Sequence, residues 1–194
     1  MVPSFDDFFS LYKKINYRMW DEYEKGIISK EQIRFERFKQ TFDYFSKLHA
    51  LDIEAIASYY TAHCPQKGAL MDGAVEILEY LNGKGYQLHL ITNGFKEVQF
   101  IKINGCNIGG YFKEIIISEM VGVMKPDKRI FDYALSAAKG ASRESIMIGD
   151  SLYADIGGAM NAGLKAIYFN PEKNEHTATP TYEIFHLLQL KQYF

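Results

Sequence analysis

The chain has 194 residues, with 22 Lys+Arg against 24 Asp+Glu for a formal net charge of −2, and it is 47% hydrophobic and 24% charged. That balance excludes a disordered chain and argues against a bulk nucleic-acid binder, and no apolar run approaches the ~18–20 residues that cross a bilayer. The start, Met1-Val2-Pro3-Ser4, lacks the basic head and apolar stretch of a secretory signal, and two cysteines (Cys64, Cys106) make no disulfide framework, so the expected location is the cytoplasm.

From Ser4 to His63 the only glycine is Gly26, and aromatic residues are dense. Phe5, Phe8, Phe9 and Tyr12 recur at helical spacing, with Ser4 as the expected cap and Asp7 favouring the helix's positive end. Ser29-Lys30-Glu31-Gln32 reads as a capping box that opens a second helix through Phe35, Phe38, Phe42 and Phe45. Asp52 opens a third, carrying Ile53, Ile56 and Tyr60. The aromatic residues Tyr17, Trp20 and Tyr23 read more simply as core than as a substrate pocket, and Lys13, Lys14, Lys25 and Lys30 as a solvated face. The spacing thus predicts an all-helical segment over residues 1–66.

Cys64-Pro65-Gln66-Lys67-Gly68 marks the expected boundary, and over residues 67–194 strands and helices alternate. A helix follows Asp72-Gly73, with Val75, Leu78 and Leu81 as its apolar positions. A strand over 86–91 ends in Thr92-Asn93-Gly94, and a helix over 96–104 follows. Ile115-Ile116-Ile117 is a strand, and 127–138 is a helix after Lys125-Pro126. Ser145 to Gly149 is a strand ending in Asp150, with a helix running on to Ala162 and stopped by Gly163. Short strands follow at 165–169 and 182–185, with a last helical turn towards Tyr193. Repeated strand–helix units imply an α/β fold, a Rossmann-like parallel sheet covered on both faces.

In such a sheet the ligand site lies beyond the carboxyl ends of the strands. Two expected strands end in polar residues there, each followed by a helix whose first amides can hold an anion. Thr92-Asn93-Gly94 alone is also a common turn. Asp150 and Asp155, five residues apart, can aim at one locus; the plainer alternative is a helix cap and a solvated helix residue. A strand ending in an acid needs a partner, and a hard cation such as Mg²⁺ with one or two carboxylates supplies one. Lys125, in an apolar loop and fixed by Pro126, places an ammonium near that cation, where one unit charge pair at 4 Å is worth about 4 kcal/mol at an effective dielectric of 20. An exposed, solvated lysine is the plainer alternative. Cys64, Cys106, His63 and His89 have no activating or metal-ligand spacing.

Leu90-Ile91-Thr92-Asn93-Gly94-Phe95, Met124-Lys125-Pro126 and Ile146-Met147-Ile148-Gly149-Asp150-Ser151-Leu152-Tyr153-Ala154-Asp155, in that order and spacing, resemble motifs II, III and IV of the haloacid dehalogenase (HAD) superfamily. The phrasing is most similar to its pyrimidine 5′-nucleotidase branch, and the helical half resembles the superfamily's cap. The resemblance implies a Mg²⁺-dependent phosphomonoesterase working through an aspartyl-phosphate on a small phosphorylated substrate such as a nucleoside monophosphate. It implies that Thr92 with the amides of Asn93 and Gly94 binds phosphate, that Lys125 stabilises its charge, that Asp150 binds Mg²⁺, and that Asp155 orients the metal's waters or Lys125. Motif I, the Asp-x-Asp that ends the first, central strand, is absent: no Asp-x-Asp occurs in the chain. The expectations are therefore a core lacking its central strand, with two unpaired strand edges, marginal stability and no useful turnover by this chain alone, Met1 being an internal methionine of a longer protein. A catalytically dead phosphate- or partner-binding form, a phosphomutase, a dehalogenase and a receiver-like signalling module are the alternatives.

Overall fold

The computed structural model describes residues 4–45 and 51–194. Residues 1–3, read above for a secretory head, and 46–50, within the expected helical segment, lie outside the described residues. The chain divides into two compact units, Met1–Lys67 and Gly68–Phe194. No helix is long and apolar enough to cross a membrane among the described residues.

Among its described residues the first unit holds three α-helices: α1 (Phe5–Glu24), α2 (Lys30–Tyr44) and α3 (Ile53–His63). Their starts are set by side chains that satisfy otherwise orphaned first-turn amides. Ser4 accepts from the Asp7 N–H, Asp52 accepts from the Ala55 N–H, and Ser29 and Gln32 form a reciprocal capping box. The core joins Tyr12, Phe38 and Ala57, flanked by Phe8, Phe42 and Tyr60. The rings of Phe8 and Phe42 stand 4.9 Å apart and those of Phe38 and Tyr60 5.1 Å, within the range where aromatic pairs attract. The expected stripe needs correction at two places: Phe5 and Phe9 are exposed and stack on one another at 5.6 Å. The buried face of α1 is Tyr12, Ile15, Met19 and Tyr23, and that of α2 adds Ile33, which is fully buried.

The second unit holds five parallel-paired strands in two groups. β1 (Leu88–Thr92) pairs with β2 (Phe112–Ile117), while β3 (Ile146–Gly149), β4 (Lys165–Phe169) and β5 (Tyr182–Ile184) pair in that order. Between them run α4 (Ala74–Gly83), α5 (Lys96–Gly105), the short α6 (Ser118–Val121), α7 (Lys128–Ala138) and α8 (Gly158–Asn161). On α4 the core positions are Ile77 and Leu81, whereas Val75 is exposed. The helix expected to run unbroken from Ser151 to Ala162 instead opens as a π turn over Leu152–Gly157 before α8. Gly163, at φ +81°, stops it as expected.

Both strand groups share the same covering on each face. On one face Ile130 and Phe131 of α7 and Ala159 of α8 pack with Ile91, Ile116, Met147 and Ala166, drawn from β1, β2, β3 and β4. On the other, Ile77 and Leu81 of α4 and Leu190 pack with Leu88, Ile146, Ile148, Ile167 and Ile184. The two groups therefore lie in one layer rather than as separate sheets. Each fully buried Ile or Phe adds ~1.5–3 kcal/mol. In β4 the central residues Ala166, Ile167 and Tyr168 are buried, whereas every residue of β1 and β3 is only half-buried. Among the described residues each of those two strands has a neighbour on one side alone.

Gly158 sets how closely α8 approaches the loop before α7. A Cβ there would stand 2.8 Å from the Pro126 Cα and 2.7 Å from the Phe131 ring, and backbone cannot yield as a flexible side chain does. Gly158→Ala is expected to destabilise the chain by about 1–3 kcal/mol in urea unfolding, the range for overpacking a tight site. An unchanged midpoint would show that the helix is not held against Pro126.

Candidate active site at the strand ends

Lys125 sits in the loop between α6 and α7 and is 7% exposed, where a lysine is rarely found without partners. Its Nζ donates to the Asp155 Oδ1 at 2.5 Å and to the Ile91 carbonyl of β1 at 3.0 Å. Asp155 is equally enclosed and accepts the Ser151 N–H at its other oxygen, at 3.0 Å. A buried charge pair is tolerated only when both members are hydrogen-bonded in this way. The sequence allows it through Gly149: a Cβ there would lie 2.3 Å from the Asp155 Oδ2. The π turn begins at Ser151, whose hydroxyl accepts the Ala154 N–H at 3.0 Å, and it returns the Asp155 side chain to the end of β3.

The Lys125 backbone is held from β1 as well. Asn93, 5% exposed, donates through Nδ2 to the Lys125 carbonyl and accepts the Lys125 N–H at Oδ1, each at 2.9 Å. Read from sequence for its main-chain amide alone, Asn93 is thus also the clamp on the lysine loop, and the Lys125–Pro126 peptide within that loop is cis. Thr92 lies between Ile91 and Asn93, both bonded to Lys125, and its Oγ1 accepts the Gly94 N–H at 3.0 Å. Phe95 caps α5, and the first amide of that helix, Lys96 N–H, donates to the Glu119 carboxylate at 2.7 Å. The amides read as an anion cradle are therefore partly engaged by the protein's own oxygens. Ser118, directly after β2, was missed from sequence; its hydroxyl is buried without a hydrogen-bond partner among the described residues.

Asp150 ends β3 at the same rim. Its side chain reaches solvent, yet enough protein crowds the carboxyl that desolvation, first, and the neighbouring Asp155 charge, second, raise its pKa, while Lys125 pulls it down. Two carboxylates and one ammonium leave an uncompensated negative charge. Among the described residues no group of three or more His, Cys, Asp or Glu side chains is placed to hold a metal. A donor set of one or two carboxylates without His or Cys fits a hard cation such as Mg²⁺, which keeps waters and substrate oxygens as its other ligands, and does not suit metals that seek thiolate or imidazole. The structure brings together Thr92, Asn93, Gly94, Lys125, Asp150 and Asp155 at one end of the strand layer, and within the first unit His63 stacks on Tyr59.

The raised Asp150 pKa fixes the sign of a pH effect. Between its ordinary value of 3.8 and the raised one, the folded chain keeps a proton the unfolded chain has lost, so stability falls as pH rises through that window. Above it the ionised carboxylate is a standing cost. Without divalent cations Asp150→Asn should therefore be more stable than the parent at pH 7, and the gain should vanish below pH 3.8. A variant less stable at pH 7 would remove the electrostatic reading.

The haloacid dehalogenase-like hydrolase model matches residues 7–169. The chain is 33% identical over 177 residues to the pyrimidine 5′-nucleotidase PynA of Streptococcus pneumoniae, covering 90% of this chain and 74% of that one. It is 33% identical over 191 residues to the pyrimidine 5′-nucleotidase YjjG of Escherichia coli, covering 95% of this chain and 81% of the relative. Among solved structures, the HAD-hydrolase YfnB of Bacillus subtilis bound to magnesium matches with a TM-score of 0.86 at 29% identity, over 99% of this chain and 84% of that one.

Proposed function

The chain belongs to the haloacid dehalogenase-like hydrolase family, and on that premise we propose that it forms the Mg²⁺- and phosphate-binding site of a phosphomonoesterase of the 5′-nucleotidase kind. The observation that carries this reading is the cluster of Lys125, Asp155 and Asp150 at the strand ends, with Thr92 beside it. The relatives named as pyrimidine 5′-nucleotidases support a pyrimidine nucleoside monophosphate as substrate.

Asp150 holds Mg²⁺, and when bound the ion supplies the positive charge that lets a phosphate dianion approach a rim already carrying two carboxylates. The Thr92 hydroxyl accepts from the Gly94 amide and so turns its own proton towards a phosphoryl oxygen. Lys125 supplies a fixed ammonium at the base of the site. Asp155 acts through Lys125, holding it in place and setting its direction. Asn93 keeps the lysine loop in register with β1. No Asp-x-Asp occurs among the 194 residues, so none of them is assigned as nucleophile or general acid, and this chain alone binds without turnover. Residues 1–66 serve as a helical cap that selects the leaving group, and residues 67–194 serve as the core. The acidic cluster disfavours a halide-displacing site, which has no use for a divalent cation.

Calorimetry with Mg²⁺ and inorganic phosphate tests the assignment. Mg²⁺ should bind one site and stabilise the chain by about 2.7 kcal/mol at a hundred-fold excess over Kd. Asp150→Asn should abolish that effect. Thr92→Val should weaken phosphate binding in the presence of Mg²⁺ roughly ten-fold, the worth of one hydrogen bond to a charged group, and leave Mg²⁺ affinity unchanged. Equal Mg²⁺ affinity in parent and Asp150→Asn would contradict the metal role, and undiminished phosphate affinity in Thr92→Val would take Thr92 out of the site.

A further inference from the structure

A cavity of about 520 Å³ lies against α3 and the turn that follows it, lined by Ile56, Tyr59, Tyr60, His63, Cys64 and Lys67. That is the size of a small-molecule site, and among the described residues no carboxylate lines it. Part of its wall is a flat aromatic pair: the His63 ring stacks on Tyr59 at 4.0 Å, and its Nδ1 meets the Tyr59 carbonyl at 2.8 Å. The Cys64 thiol is half-buried in the same wall. Burial, first, and contact with the Cys64 side chain, second, raise the Tyr60 pKa, so thiol and phenol touch. A buried positive charge packs on that same Tyr60 ring. The Arg37 guanidinium carbon stands 5.1 Å from the Tyr60 and Phe38 rings, and its Nη1 donates to the Asn16 Oδ1 at 3.1 Å. Its Nε is buried without a hydrogen-bond partner among the described residues, as is the Tyr12 hydroxyl. Arg37 and Tyr12 are 7% and 8% exposed. Burial raises the Tyr12 pKa first, while Arg37 lowers it and Cys64 raises it, so guanidinium and thiol stand near one hydroxyl. Among the described residues no carboxylate pairs with Arg37, and residues 1–3 and 46–50 contain no Asp or Glu. A buried cation normally has an anion beside it.

We propose that Cys64 is a thiol-exchange site that captures a small anionic disulfide, with the cavity along α3 holding the half that stays attached. The Cys64 thiol loses its proton to solvent, and its sulfur bonds to one sulfur of the ligand as the ligand's own S–S bond breaks. The other half leaves as a thiolate, so Cys64 is oxidised while the incoming disulfide is reduced. The charge of the ligand follows from the walls. Lys67 is exposed at the cavity, Arg37 adds an uncompensated positive field through Tyr60, and no lining carboxylate opposes them. The apolar stem of the attached half lies on Ile56 and on the Tyr59 ring. Selectivity comes from this fit and attraction rather than from an activating base, which the sequence around Cys64 lacks. None of these residues belongs to the strand ends, so the site stands apart from the phosphatase reading.

The test follows mixed-disulfide formation on the whole chain by peptide mass, with glutathione disulfide as the anionic probe and hydroxyethyl disulfide as the neutral one. Cys106 is the internal control: it is also half-buried, lies outside the cavity and donates its thiol to the Gly68 carbonyl at 3.6 Å. Glutathione disulfide should modify Cys64 about ten-fold or more faster than Cys106, and the preference should vanish in urea. Lys67→Ala, at an exposed position, should slow capture of glutathione disulfide at Cys64 about three-fold and leave the neutral probe unchanged. Ala55→Trp, also exposed and beside the cavity, should slow both probes at Cys64 and neither at Cys106. Equal rates at the two cysteines of the folded chain would overturn the site, as would a preference that persists in urea. So would a Lys67→Ala effect that is absent or the same for both probes, or an Ala55→Trp chain that reacts at the parent's rate.

Discussion

The buried bond between Lys125 and Asp155 is the interaction on which the second unit depends. It joins the loop before α7 to the turn after β3, and the same ammonium grips β1 through the Ile91 carbonyl. Among the described residues no backbone ladder connects β1 to β3, and this chain of hydrogen bonds links their carboxyl ends. Several sequence features are explained as its accommodation. Gly149 leaves room for the Asp155 carboxylate, Gly158 lets α8 close on Pro126, and Asn93 fixes the lysine backbone. Removing one partner of such a pair strands a buried charge, at a cost of about 3–5 kcal/mol.

The same bond shapes the chemistry. Burial, first, and the neighbouring Asp155 charge, second, raise the Asp150 pKa, while Lys125, already bonded to Asp155, lowers it only in part. A divalent cation relieves both the repulsion and the desolvation. On the proposed function, Lys125 would be a second positive centre for a dianionic substrate beside a cation held by Asp150. Membership of the haloacid dehalogenase-like hydrolases agrees with a site at the carboxyl ends of parallel strands, the position that open α/β sheets favour.

Much of this was legible in the sequence because it is local. Ser4, Ser29 with Gln32, and Asp52 cap their helices as their spacing requires, and Gly163 ends α8 through its left-handed backbone. The gathering of Thr92, Lys125, Asp150 and Asp155 was legible from motif order, since strand ends of a parallel layer share one rim. What escaped was tertiary. Nothing in the repeat of Phe5, Phe8, Phe9 and Tyr12 says which pair faces Phe38 and which faces water. The clamp by Asn93 needs a loop thirty-two residues away, and its one local sign is an amide residue directly after the last strand residue. The π turn after Asp150 replaced an expected helix because Asp155 is drawn back to the strand end by Ser151 and Lys125, a demand invisible to helical periodicity.

A double-mutant cycle across the pair tests the central claim most directly. Lys125→Met, Asp155→Leu and the combined variant are unfolded in urea beside the parent. If the pair binds the layer together, each single change destabilises the fold by several kcal/mol. The double change then recovers a large part of the loss, with a coupling energy of about 2 kcal/mol or more. Additive losses, with coupling near zero, would mean that the ammonium and the carboxylate do not depend on one another and that the layer is held by its apolar faces alone.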